Sequence, residues 1–302
     1  MPASKQLRPA ALAAFGAGDL AFLGLCLSRP ESAAEAFVAW RKTHDDPDTL
    51  SISARLQDLQ PLAARHLSTL APIAPESFVT RMRTAALIEE RRLTALRHLA
   101  VAIVKTPSVA AHAPVIVGGL ALGETIYPSA NLRHTSRLSL VFPERTFLPQ
   151  MAAALREHGF ERRASSGRGV TARLRALLPR RVELRHDTGM PLILLRGRTS
   201  GAAPRLSYQD LREGARSLEL TSGCLCLVPS VPHSFSAFLS AYGQTLLGAG
   251  AVGERSPLWL ADLAFLRRAL PDPLPISSGA EQTTSLFAAL AEQLETLSGT
   301  RG

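Results

Sequence analysis

Residues 115–142 read VIVGGLALGETIYPSANLRHTSRLSLVF. Val115, Ile116 and Val117 make a short β-branched run, Gly118-Gly119 a tight turn, and the residues through Tyr127 an apolar helix. Leu138 to Phe142 predicts a second strand. Strand, glycine turn, helix and strand in this order are the texture of an α/β layer, in which helices cover a sheet.

Downstream, Pro143 is expected to start a helix that ends at Gly159, since proline suits the first turn and glycine the position just past the last. Residues 171–178 and 181–185, joined around Pro179, predict a hairpin, and residues 191–195 a further strand. The chain then returns to helix over 208–215, 235–247, 258–270 and 281–297, with a strand-like piece at 224–228. Upstream, Ser28 and Glu31 predict a capping box for a helix over 30–42, and residues 76–104 predict the long helix leading into the sheet. The expected class is α/β (α+β), a mixed sheet with flanking helices. Three regions follow: helical 1–105, an α/β core at 106–200, and a mainly helical 201–302. Whether the N-terminal helices pack onto the sheet or form their own module is left open by the pattern.

The chain carries 34 Lys and Arg against 25 Asp and Glu, a formal charge of +9, and only Lys5, Lys42 and Lys105 are lysines. Arginine's planar fork suits phosphate, so nucleotides or nucleic acid are conceivable partners. The arginines are scattered and few aromatics interleave them, which makes nucleic acid the weaker of the two. No stretch approaches a membrane span, and Asp19 interrupts the apolar run at 10–27, so neither a membrane location nor a signal peptide is expected. Cys26, Cys224 and Cys226 form no even disulfide framework and no metal spacing. Buried thiols in a reducing cytoplasm follow.

Residues 117–163, from Val-Gly-Gly-Leu through Tyr127-Pro128, Arg133 and Ser136 to His158-Gly159-Phe160-Glu161, resemble a nucleotidyltransferase family of the polymerase-β-like superfamily. In that family a strand enters a Lys-Gly or Gly-Gly turn and a helix ending in Tyr-Pro. An Arg-Pro-x-Ser-Asp-x-Asp strand and a helix ending in Gly-Phe come next. The likeness extends to Val182-Glu183-Leu184, placed where the family has Val-Asp-Leu-His, and to residues 258–263, which look like its late Arg-Trp-Leu-x-Asp helix. About half the chain is covered. The resemblance implies a nucleotidyltransferase-like sheet, a triphosphate substrate, Mg²⁺, and Gly118, Gly119, Arg133, Ser136, Arg137 and Ser139 as nucleotide-binding positions.

Nucleotidyl transfer uses two divalent cations, and hard Mg²⁺ needs carboxylate oxygens. Two aspartates at i and i+2 of a strand share a face and grip both metals, while a third carboxylate comes from a neighbouring strand. Here Arg137 occupies the first aspartate's place, Ser139 the second's, and His134 the proline's. A guanidinium repels a cation and cannot ligate it. Glu183 alone survives as a carboxylate with a catalytic role to inherit. Arg137 then has three readings: an ordinary strand-edge arginine, a direct phosphate contact that substitutes for metal, or a cross-sheet partner of Glu183. Arg133 is read as a phosphate anchor or as a ligand of a neighbouring carbonyl.

The expected function is therefore a catalytically degenerate, nucleotidyltransferase-fold pseudoenzyme of a bacterial cytoplasm that binds a nucleoside triphosphate or a protein partner without a metal or other cofactor. The alternative is an active transferase in which Glu183 and an unplaced carboxylate hold Mg²⁺. Other constellations are thin. Residues 166–169 make a hairpin loop, His44-Asp45-Asp46 and His186-Asp187 sit in loops without further ligands, and Ser234 and Ser236 near His233 lack a nucleophile elbow.

Overall fold

The computed structural model describes residues 10–44, 50–162, 179–199, 206–221, 223–246, 256–272, 274 and 281–299. Seven strands, β1 (Val115–Val117), β2 (Leu138–Phe142), β3 (Phe160–Arg162), β4 (Arg181–His186), β5 (Pro191–Arg196), β6 (Ala215–Thr221) and β7 (Cys224–Pro229), form one sheet in the order β3-β4-β5-β2-β1-β7-β6. The sheet is mixed: β2 runs parallel to β5 and β1 parallel to β7, and the remaining neighbours are antiparallel. The helices are α1 (Ala10–Ala13), α2 (Ala17–Leu27), α3 (Ala33–Arg41), α4 (Gln60–Ala64), α5 (Leu67–Leu70), α6 (Glu76–Lys105), α7 (Pro107–Ala110), α8 (Gly119–Ile126), α9 (Leu148–Ala154), α10 (Tyr208–Glu213), α11 (Val231–Leu246), α12 (Leu258–Ala269) and α13 (Glu281–Leu297). The α/β class with flanking helices is as expected.

The chain divides into two compact units. One is helical and draws on residues 1–89, 131–134 and 242–302; the other contains the sheet and draws on 90–130 and 135–241. The sheet takes β6 and β7 from beyond residue 200, and the N-terminal and C-terminal helices belong to one unit. Apolar content explains the pairing. In α2 every residue from Phe22 to Leu27 is buried, and in α12 every residue from Trp259 to Leu266. A helix buried all round needs neighbours on every side, and α12 and α13 pack on each other and on α2. Gly24 permits a close approach, because a Cβ there would lie 2.8 Å from the Leu297 carbonyl oxygen.

In the sheet unit the central strands β1, β2 and β5 are near-continuous apolar runs because both faces are covered. One face carries Ile116, Leu138, Leu140, Phe142, Val182, Leu184, Leu192 and Leu194 against the second half of α6, α8 and α9. The other carries Val115, Val117, Val141, Ile193 and Leu195, packed with Leu211 of α10.

Three local expectations are corrected. Ser28 ends α2 instead of starting the next helix: its Oγ donates to the Leu25 carbonyl at 2.8 Å, a 3₁₀ turn covers Pro30–Ser32, and no capping box forms with Glu31. The helix expected from Pro143 begins only at Leu148, where Pro149 takes the first turn, and residues 143–147 make a turn instead. Gly159 does end that segment, at φ 76°, but its successors form β3. The helix at 208 stops at Glu213, and Ala215 opens β6, whose Leu218 and Leu220 alternate with polar residues. The strand expected at 171–178 lies outside the described residues.

Candidate functional site

Gly118 follows β1 at φ 77° and ψ −141°, a conformation essentially reserved for glycine. A Cβ built there would meet no atom of the described residues within 4 Å, so the requirement comes from the backbone. Gly119 is the first residue of α8, and the first-turn N–H groups of that helix have no intrahelical partner. The sequence expectation of a glycine turn opening a helix is met in full.

The residues beside this turn follow from strand register. Val117 pairs with Ser139, Ser139 with Ile193, and Ile193 with Glu183, so these four form one transverse row on the α10 face of the sheet. Ser139 is 9% exposed, and no hydrogen bond to its side chain occurs among the described residues. Ser136 and Arg137 are exposed and precede β2 at the same end of the sheet as Gly118.

Glu183 stands two strands from Ser139, about 10 Å by strand spacing, with apolar Ile193 between them. The strand next to β2 therefore offers no carboxylate in this row. Glu183 is instead held by Arg181 Nη2, two residues away on the same face, so the Arg137–Glu183 pair is not formed. Among the described residues no three His, Cys, Asp or Glu side chains are placed to hold a metal ion.

Arg133 is committed elsewhere. It is 8% exposed and belongs to the helical unit, where Nε and Nη2 donate to the Asp262 carboxylate at 2.7 Å each and Nη1 donates to the His134 carbonyl at 2.9 Å. Of the two roles read for it, the contact to a neighbouring carbonyl is present at His134, and the rest of the fork is taken up by Asp262 in a buried bidentate pair. His134 lies beside it, with Nδ1 2.9 Å from Glu89 Oε2 and Nε2 3.6 Å from Asp58 Oδ1. Sequence reasoning singled out Asp262 by its motif but not as the partner of Arg133, because 129 residues separate them.

Sequence reasoning also passed over Arg185. It is exposed, shares the Glu183 face two residues on, and has Nη2 3.6 Å from where a Gly189 Cβ would stand, over the β4–β5 turn. The i, i+2 spacing of Arg181, Glu183 and Arg185 was the available signal.

His186 Nδ1 lies 2.8 Å from Thr188 Oγ1 within the β4–β5 turn, and His44 Nε2 lies 3.0 Å from the Ser51 carbonyl. Asp45, Asp46 and residues 166–169 lie outside the described residues. His233 Nδ1 meets Ser230 Oγ at 2.8 Å at the start of α11, and Ser236 Oγ donates to the Pro232 carbonyl within that helix. Cys224 and Cys226 are buried on the helix-covered face, and burial, then the neighbouring Cys224, pushes the Cys226 thiol up to about 12. No described helix is long and apolar enough to cross a membrane. No protein-family model matches the chain, and no curated protein matches it.

Proposed function

We propose that this chain is a nucleotidyltransferase-fold protein that has lost transfer and acts by binding, at the glycine turn, the phosphates of a nucleoside triphosphate in a bacterial cytoplasm. One observation carries the reading. The face of β2 that would have to offer two carboxylates carries Ser139 behind an exposed Arg137, and the acid of that row, Glu183, is two strands away on Arg181. An anion, not a divalent cation, suits that surface. Gly118, Gly119, Ser136, Arg137 and Ser139 remain as binding residues; Arg133 acts as a strut, and Glu183 has no catalytic task.

Calorimetry with ATP, in EDTA and in excess Mg²⁺, tests this. Binding in EDTA, with no label transferred from the triphosphate to any acceptor, is the expected result. Binding that requires Mg²⁺, or release of pyrophosphate by the pure protein, overturns it in favour of an active transferase. A folded protein that ignores ATP under both conditions overturns nucleotide binding and leaves a protein partner as the ligand class.

A further inference from the structure

We propose that Arg137 and Arg185 form a two-arginine grip for a di- or triphosphate group, taking over at the sheet end the charge neutralisation that metal ions supply elsewhere; this rests on the binding reading above and names its subsite. Leu138 pairs with Leu192, so Arg137 stands beside Pro191, and Pro191 pairs with Arg185. The two arginines thus flank Pro191 in one transverse row, about 10 Å apart at the backbone. Both are exposed, and neither has an ion pair or hydrogen bond among the described residues.

The row behind them makes a floor of Val117, Ser139 and Ile193, each nearly but not wholly buried. Ser139 is a hydroxyl nine-tenths buried with no hydrogen-bond partner among the described residues, a group that accepts or donates to a ligand oxygen in such a place. The Gly118 turn adds backbone with no Cβ in the way.

Guanidinium side chains about 10 Å apart at their roots converge on a polyphosphate a few ångströms long, and their forks match its paired oxygens. Two acids among the described residues oppose them: Glu183, two residues from Arg185 on the same face and held by Arg181, and Glu161. Glu161 pairs in register with Arg185, yet no ion pair joins the two, so its charge stands at the rim and weakens an anion's hold. Excess Mg²⁺ is then expected to weaken binding, because it takes up the phosphate charge that the arginines need.

Titrations with ATP, inorganic tripolyphosphate and adenosine in EDTA, monitored by calorimetry, test the grip and separate its sources. ATP and tripolyphosphate binding together, with adenosine silent, places recognition on phosphate; adenosine binding as well as ATP does overturns it. Arg137→Ala and Arg185→Ala each lower tripolyphosphate affinity about tenfold, the double variant about a hundredfold, and the lysine replacements restore only part. Glu161→Gln raises affinity about two- to threefold, a gain that a structural role could not give. All these side chains are exposed, and unchanged urea midpoints verify the folds. If the double variant binds ATP as the wild type does, the grip fails and the binding reading stands. If ATP and tripolyphosphate both fail to bind the folded wild type, both fall.

Discussion

Arg133 and Asp262 meet across 129 residues in a buried bidentate pair, with both contacts at 2.7 Å and Asp262 only 1% exposed. The pair ties the short segment 131–134 to α12 within the helical unit. An ion pair this buried is costly to break from one side, because the remaining charge has no water to turn to. Asp262→Asn is therefore expected to cost roughly 3–5 kcal/mol in urea unfolding, whereas Arg133→Met with Asp262→Leu costs far less than the sum of its parts. Additive single and double losses would show that no such coupling exists.

Gly118 makes a different kind of demand. No described residue lies within 4 Å of a Cβ there, so Gly118→Ala clashes with none of them, but alanine at φ 77° and ψ −141° is strained. A loss of about 1–3 kcal/mol is expected from the backbone alone. Alanine at Gly118 that leaves the denaturation midpoint unmoved would contradict the turn geometry.

Legibility followed the range of each interaction. The runs Val115–Val117, Leu138–Phe142 and Pro191–Arg196 announced buried central strands, because both of their faces are apolar. Gly118-Gly119 announced the turn for a local steric reason. The start of α9 is ambiguous in the sequence because two prolines, Pro143 and Pro149, each satisfy a first-turn rule, and only packing chooses between them. β6 was hidden because it follows α10 after a single glycine and its outer residues are polar. At the site, the glycines and the Arg137 and Ser139 positions were legible from spacing. The commitment of Arg133, the Arg181–Glu183 pair and the place of Arg185 depended on register and on partners distant in sequence.

His66 makes stability depend on pH. It is 2% exposed, Arg65 Nε donates to its Nε2 at 3.0 Å, and Ser28 Oγ lies 3.4 Å from the same nitrogen. Burial, then the Arg65 charge, lowers its pKa from 6.5 to about 4. Between those values the folded protein holds fewer protons than the unfolded chain, so stability present above pH 6.5 is lost as pH falls towards 4. Urea unfolding at pH 7 and pH 4.5 should differ by on the order of 2–3 kcal/mol from this group. His66→Gln should flatten that slope; an unchanged slope assigns the acid sensitivity to other groups.

The three cysteines are expected to be inert in the native state. All are buried, and burial raises the thiols of Cys26 and Cys226, the latter to about 12, so little thiolate exists at neutral pH. A thiol-disulfide reagent at pH 8 should label none of them until denaturant is added, and then all three. Rapid labelling of Cys224 or Cys226 would mean that the β7 face opens on a short timescale.

Glu183 offers the sharpest contrast between binding and transfer. Its contact with Arg181 joins two side chains that are each more than a third exposed, and pairs of that kind contribute less than about 1 kcal/mol. Glu183→Gln is thus expected to leave the unfolding midpoint nearly unchanged. Because the substitution removes a negative charge from the face that carries Arg137 and Arg185, triphosphate affinity in EDTA should hold or rise slightly. A metal-ligating carboxylate behaves in the opposite way, since its loss lowers affinity for the metal and with it affinity for the metal-bound triphosphate. A Glu183→Gln protein that binds ATP more weakly, and only in the presence of Mg²⁺, would restore to this residue the role that its pairing with Arg181 denies it.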